Sequence, residues 1–285
     1  DVYIGETTCD GKKKAYEILG TDVPMHVMDL PRMKRDKDVK KWAEEIRELK
    51  ALVEKETGNE VTAENLAENI KKINAKRSAL KRLYDLRKEK NIPISGTDTL
   101  LISQIAYYDD PERFTQMVNT LCDELDQRVK DGVSVFPAGT KRILVTGTPM
   151  AIPNWKMHNL IETSGAAVVC EETCTGTRYF ENNVDESGKT VDKIAERYMG
   201  INCACFTPNT GRFDDVVRLA KEYDVDGVID VTLKFCQTYD IEGATLEKRL
   251  QEENIPVLRI ETDYTDAEAQ QLKTRIEAFC EVIGE

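Results

Sequence analysis

Histidine is almost missing from this chain: only His26 and His158 occur among 285 residues. A metal centre built from imidazoles, or evenly from imidazole and thiolate, has too little material here. Long apolar runs are missing as well. Stretches such as Ile143–Thr148 and Ala166–Cys170 fall far short of the roughly 18 residues that suggest a membrane helix. The first residues carry neither a basic nor an apolar leader, so a cytoplasmic protein with no membrane partner is expected. An excess of positive charge is also lacking, since 40 basic residues face 52 acidic ones for a net charge of −12. Duplex phosphates demand a positive surface, so nucleic acid is not an expected partner. Internal repeats and low-complexity tracts are absent. With 40% apolar and 32% charged residues, the composition is that of a globular chain rather than a disordered one.

Charge is unevenly spread. Between Arg32 and Lys90 stand 18 basic and 12 acidic residues, a basic stretch inside an otherwise acidic chain. From about Lys34 to Lys130 apolar residues recur at spacings of three and four. Trp42, Ile46, Leu49 and Val53 form one set, Leu66, Ile70 and Ile73 a second, and Leu80, Leu83 and Leu86 a third. That period is helical, and Thr62 supplies an N-cap. Pro93 and Gly96 break the run, after which Thr99–Tyr108 and Glu112–Lys130 read as two more helices. Lys71, Lys72, Lys76, Arg77, Lys81 and Arg82 fall along one broad helix face, expected to be exposed, either simply solvated or docking a protein partner.

Strand signals flank this helical region. Val2–Ile4 reads as a short strand, Asp10–Leu19 as a helix and His26–Leu30 as a second strand. A strand so near the first residue needs neighbours to pair with. Residues 1–34 therefore read as the remainder of an N-terminal α/β domain, incomplete here, followed by a helical subdomain over 35–135. A C-terminal α/β domain over 136–285 completes the division. In that last part Arg142–Thr146, Ala166–Cys170, Gly227–Val231 and Pro256–Ile260 are β-branched runs of strand length. They alternate with helical stretches at Lys156–Thr163, Val191–Met199, Phe213–Glu222, Ala244–Glu253 and Ala267–Val282. The fold class is α/β, with Rossmann-like parallel sheets and helices on both faces. Ligands in such sheets collect at the carboxyl ends of the strands.

Eight cysteines are the strongest signal in the composition. In a reducing compartment thiols serve as metal ligands, catalytic groups or core residues more often than as disulfides. Cys122 lies with Val118, Leu121 and Leu125 on an apolar helix stripe, and Cys280 with Ile276, Phe279 and Ile283, so both read as small core hydrophobes. The other six follow strands or sit in turns. Cys9 precedes a helix, where free N–H groups and the dipole favour an anion. Cys170 ends a strand and Cys174 follows it, Cys203 and Cys205 form a Cys-x-Cys turn, and Cys236 follows the Gly227–Val231 strand. Spacing alone leaves three readings open. The first is an iron–sulfur cluster, which accepts varied spacings. The second is a structural zinc on Cys170, Cys174, Cys203 and Cys205, although neither pair has the usual knuckle spacing. The third is thiols that hold no metal.

Two strings are more specific. They are Glu6-Thr7-Thr8-Cys9-Asp10-Gly11-Lys12-Lys13-Lys14 and Cys170-Glu171-Glu172-Thr173-Cys174-Thr175-Gly176-Thr177-Arg178-Tyr179-Phe180. With Asn202-Cys203-Ala204-Cys205-Phe206-Thr207-Pro208-Asn209 and Lys234-Phe235-Cys236, the chain resembles the 2-hydroxyacyl-CoA dehydratase family over nearly its whole length. Within that family it is most similar to the double-cubane cluster proteins, a reductase branch. The resemblance implies two α/β domains with an interposed helical region, cysteine-bound [4Fe–4S] clusters, and a separate ATP-hydrolysing iron–sulfur activator that delivers low-potential electrons. Dehydratases of the family form a ketyl radical from a 2-hydroxyacyl-CoA and expel water. Double-cubane relatives carry two bridged cubanes and reduce small molecules. By this resemblance Cys9 and Cys236 match cluster ligands, and Cys170, Cys174, Cys203 and Cys205 are candidates for a second cubane. A further ligand cysteine is implied upstream of Glu6, before Asp1.

The leading expectation is thus an anaerobic iron–sulfur reductase of the double-cubane type acting on a small molecule, as a homodimer. A one-cubane 2-hydroxyacyl-CoA dehydratase subunit, in a heterodimer, is the alternative. A structural zinc protein or an electron carrier without its own substrate forms a third class. Glu171, Glu172 and Arg178 bracket Cys174 and are the candidate catalytic residues, in a loop expected to wall the site. Ser187-Gly188-Lys189-Thr190 resembles the end of a phosphate-binding loop but has Asn183 where glycine is needed and no strand before it. Lys12, Lys13 and Lys14 read as a solvated helix face, and His158 as a surface residue.

Overall fold

A computed structural model describes residues 1–283. The chain runs β1 (Tyr3–Glu6), α1 (Asp10–Leu19), β2 (Met25–Met28), α2 (Asp36–Thr57), α3 (Ala63–Asp85), α4 (Gly96–Ile105), α5 (Pro111–Lys130), β3 (Lys141–Gly147) and α6 (Lys156–Thr163). It continues with β4 (Ala166–Glu172), α7 (Thr177–Phe180), α8 (Thr190–Met199), α9 (Thr210–Glu222), β5 (Gly227–Leu233), α10 (Gln237–Glu252), β6 (Val257–Thr262) and α11 (Ala269–Val282). Among the described residues no helix is long and apolar enough to cross a membrane.

Two compact units share this chain. The first takes Asp1–Lys72 and Asn183–Asn209; the second takes Ile73–Asn182 and the chain from Thr210 on. The helical stretch expected over 35–135 is divided between them, since the change of unit falls within α3.

In the first unit β1 and β2 pair in parallel, with Ile4 opposite His26, and α2 packs on α8. Helix α2 starts where the Asp38 carboxylate accepts the Arg35 N–H at 3.1 Å and stops at Gly58, whose φ of 70° suits glycine. The Asn65 N–H donates to Thr62 Oγ1 at 3.1 Å, so Thr62 does cap α3. Lys12, Lys13 and Lys14 pair with Glu6, Asp10 and Glu17.

The second unit is built on a four-stranded parallel sheet of order β4-β3-β5-β6. Successive side chains point to opposite faces of a strand, and here both faces are apolar. Leu144, Ala167, Val169 and Val228 join one core cluster with Leu80, Leu83 and Tyr84 of α3, Val216 of α9 and Leu250 of α10. Ile143, Val145, Val168 and Ile229 join the other with Leu100 of α4, Ile161 of α6 and Ile276 of α11. Cys122 is buried in the first cluster, where burial pushes its thiol up to about 11, and Cys280 packs against the second. From β3 the chain moves to β4 on one side and then to β5 on the other. The strand order therefore reverses between β3 and β5, and a crevice opens there, at the carboxyl ends, in folds of this kind.

Strands β4 and β5 each run two residues beyond the sequence expectation. For β4 the extra residues are Glu171 and Glu172, which stand on a buried strand rather than in a loop. That overturns their placement in an open loop wall, and the cause is charge pairing described below.

Candidate functional site

In the first unit Cys9 is the N-cap of α1. Its backbone is extended, with φ −146° and ψ 165°, and its Sγ accepts the Lys12 N–H at 3.4 Å. The side chain is exposed. Cys203 and Cys205 lie in a turn closed by the Phe206 N–H donating to Cys203 O at 3.0 Å. The same short link holds both segments. Arg32 Nη1 donates to Thr8 O at 2.6 Å, while Arg32 O accepts from the Thr207 N–H at 2.9 Å. Lys34 Nζ donates to Asn202 Oδ1 at 2.6 Å and stands 4.9 Å from the Phe206 ring centroid. Three cysteines of this unit thus sit on segments tied by two cationic residues.

The second unit places Cys236 at the N-cap of α10, just past the end of β5 and beside the reversal of strand order. The Cys236 N–H donates to Leu233 O at 2.9 Å. Before it, Phe235 adopts φ 71° and is 97% exposed. A left-handed backbone costs an L-residue roughly 1–2 kcal/mol, and full exposure returns no apolar burial. Cys174 follows β4, and its carbonyl accepts from Tyr107 OH at 2.5 Å. Arg178 Nη1 lies 3.9 Å from Cys174 Sγ and donates to the hydroxyl of Tyr239, on the first turn of α10. Arg178 therefore links the Cys174 loop to the helix that follows Cys236.

Beneath this edge lie two buried charge networks. In one, Arg87 donates to Glu171 at 2.8 and 3.2 Å, and His158 Nε2 stands 2.9 Å from Glu171 Oε1, all three side chains being out of water. Burial alone would raise the Glu171 carboxyl; Arg87 and His158 outweigh it and bring it down to about 2. In the other, Glu172 accepts from Arg178 through Nε, and through Nη2 at 2.7 Å, and from Thr146 Oγ1 at 2.6 Å. Arg212 is 3.4 Å from Glu172, donates to Glu242 at 3.0 Å and lies 3.6 Å from Asp230. Tyr239 has the Arg178 and Arg212 guanidinium carbons 5.3 and 4.8 Å from its ring centroid.

Several sequence expectations change here. His158 is buried against Glu171, not on the surface. Lys76 and Arg77 are buried too, so the basic face does not extend across them: Lys76 donates to Ala106 O at 2.8 Å, and both cations lie near the Tyr179 ring. Cys170 is fully buried among apolar residues, and burial pushes its thiol well above the usual range. Arg87, Arg212, Asp230 and Tyr239 escaped the sequence reading altogether. Their only local signal is polarity inside apolar helices and strands, and key partners are remote: Glu171 is 84 residues from Arg87, Thr146 is 66 from Arg212 and Arg178 is 61 from Tyr239.

The thiols of Cys9 and Cys236 are open to a metal or cluster, each standing at the start of a helix and neither fully buried, whereas that of Cys170 is closed off in the core. Among the described residues no three His, Cys, Asp or Glu side chains gather as a single metal site. Fold and site together define an α/β protein with thiols at the ends of strands and the starts of helices, backed by buried ion pairs.

The chain belongs to the family described as 2-hydroxyglutaryl-CoA dehydratase, D-component, which matches residues 1–283. It is 36% identical to the putative dehydratase subunit YjiM of Escherichia coli (strain K12), over 99% of this chain and 74% of that protein. It is 26% identical to the (R)-phenyllactyl-CoA dehydratase beta subunit of Clostridium sporogenes, over 81% of this chain and 60% of that one. With a subunit of the benzoyl-CoA reductase of Thauera aromatica it shares 22% identity, over 90% of this chain and 66% of that protein. The relatives are thus subunits of dehydratases and of a reductase, and the chain spans under two thirds of the second and third.

Proposed function

We propose that the chain is a subunit of a 2-hydroxyacyl-CoA dehydratase-type enzyme that holds a [4Fe–4S] cluster through cysteine thiolates. A separate ATP-hydrolysing iron–sulfur protein supplies its electrons, and a second subunit completes the enzyme. The family and the names of its members support this reading over a double-cubane reductase. The observation that carries it within the chain is the position of Cys9 and Cys236, each at the N-cap position of a helix of ten residues or more. Both are proposed as cluster ligands. When bound, the cluster supplies one-electron chemistry of low potential. Arg178 gives fixed positive charge beside Cys174, and Glu172 holds that guanidinium in place. Glu171 orders Arg87 and His158 behind the same strand. Cys170 is left out of the ligand set because its thiol is buried in the core.

Iron and acid-labile sulfide should be measured on anaerobically purified protein and its variants. Cys9→Ala and Cys236→Ala should each lower bound iron, while Cys122→Ala and Cys280→Ala should not. Equal loss in all four overturns the ligand assignment. One cluster gives about four iron atoms per chain. About eight, falling also in Cys174→Ala, Cys203→Ala and Cys205→Ala, would instead restore the double-cubane reductase.

A further inference from the structure

Asp230 stands on β5 with its side chain 1% exposed, and neither carboxylate oxygen has a hydrogen-bond partner. Two arginines face it without closing on it. Arg212 of α9 is 3.6 Å from Oδ1, and Arg259 of β6 is 4.0 Å from Oδ2. Both serve other carboxylates. Arg212 also pairs with Glu172 and Glu242, and Arg259 with Asp240 and Glu247. Helix α10 approaches through Gly243, where an added Cβ would lie 2.8 Å from Oδ2. On the β3 side stand Thr146, opposite Asp230 in register, and Gly147. Arg178 and Glu172 complete the charges that act on it.

A buried carboxylate without a hydrogen bond is costly when ionised and much cheaper when protonated. Here a third acid, Asp230, competes with Glu172 and Glu242 for one guanidinium. We propose that Asp230 is a proton-holding positioning residue whose ionisation decides how Arg212 is shared with Glu172, and through Glu172 how Arg178 is held. With the proton on Asp230, Arg212 is left to Glu172 and Glu242. When the proton departs, Asp230 draws on Arg212 and loosens its hold on Glu172. The proton exchanges with water past Arg259, whose side chain is about one third exposed. Desolvation supports this by lifting the Asp230 carboxyl to about 6, against the pull of Arg212 and Arg259. The inference concerns the second unit alone and does not rest on the cluster reading.

Infrared spectroscopy on protein carrying isotope-labelled aspartate reads the protonated carboxyl directly. Wild type should show a protonated aspartate band that disappears with a midpoint near pH 6, and Asp230→Asn should lack it. Arg259→Gln removes an attraction and should move the midpoint up. Glu172→Gln removes a repulsion, frees Arg212 and should move it down. An aspartate already ionised at pH 5 to 6, or one not coupled to these charges, would give no such opposed shifts. As a second measurement, stability should be followed with pH. A carboxyl raised in the folded state favours folding most when protonated, so wild type loses stability relative to Asp230→Asn as pH rises from the unfolded value of 3.8 through about 6. The relative unfolding constant should rise by about 50-fold between about pH 4 and 7. Should Asp230→Asn not fold, the wild-type band and its two shifts still decide. Absence of a protonated aspartate at pH 5 to 6, or a midpoint that neither variant moves, overturns the proposal.

Discussion

Arg87 holds Glu171 by two hydrogen bonds of 2.8 and 3.2 Å, with neither side chain exposed to water. Such a pair adds little over an apolar match, yet losing one partner leaves a bare charge inside the protein. Arg87→Ala should cost about 3–5 kcal/mol, read by chemical denaturation, whereas a loss below about 1 kcal/mol would show water reaching Glu171. The pH dependence has a definite sign. Because the Glu171 carboxyl is depressed from 4.5 to about 2, its contribution of about 3 kcal/mol is complete above pH 4.5 and disappears as pH falls through about 2. Glu171→Gln should remove that acid step.

The Arg178–Glu172 pair predicts a strong coupling. Arg178→Ala leaves Glu172 with Arg212 at 3.4 Å and Thr146, and Glu172→Gln leaves Arg178 with Tyr239 and the main-chain carbonyl of residue 172. Each should destabilise, and the double variant should cost less than the sum by about 1–3 kcal/mol. Additive costs in a double-mutant cycle would mean that the two side chains are independent.

Much of the fold is legible in short stretches of sequence. Asp10–Leu19 and Lys156–Thr163 match the observed helices end for end, because apolar spacing and flanking polar residues act over a few positions. The end of β4 is not legible that way. Acidic residues after a β-branched run look like a loop, and only Arg87, 84 residues away, and Arg178 make them strand residues. Lys76 and Arg77 mislead for the same reason, since nothing nearby announces the Tyr179 ring and Ala106 carbonyl that receive them. Local periodicity reports which face is apolar; it is silent about long side chains that reach distant partners.

Two glycines separate backbone strain from crowding. Gly58 has φ 70° with nothing near an added Cβ, so Gly58→Ala should cost about 1 kcal/mol. Gly147 combines φ 115° with a Cβ that would overlap Val231 O. Gly147→Ala should cost several times more and displace β3 from β5. Equal costs in thermal denaturation would place Gly147 in a looser setting than the one described.

Phe235 offers a prediction of the opposite sign. Phe235→Asn should raise stability by about 0.5–1 kcal/mol, because asparagine tolerates the left-handed backbone and almost no buried surface is lost. A fall in stability would show that the ring packs in solution. If stability rises while turnover drops, the aromatic ring is kept for work beside Cys236 rather than for folding.

The interleaving of the two units has a consequence for biosynthesis. Asn183–Asn209 belong with Asp1–Lys72, so the first unit stays open until the whole stretch 73–182 has left the ribosome. The second unit waits longer still. Its central pairing sets Val145 against Ile229, and closing so long a loop early is entropically costly. During synthesis β3 and β4 therefore stand with an unpaired strand edge, the kind of surface that recruits other chains. Fragments that end before β5 should therefore leave that edge unpaired and aggregate more readily than the whole chain, which light scattering on such fragments checks.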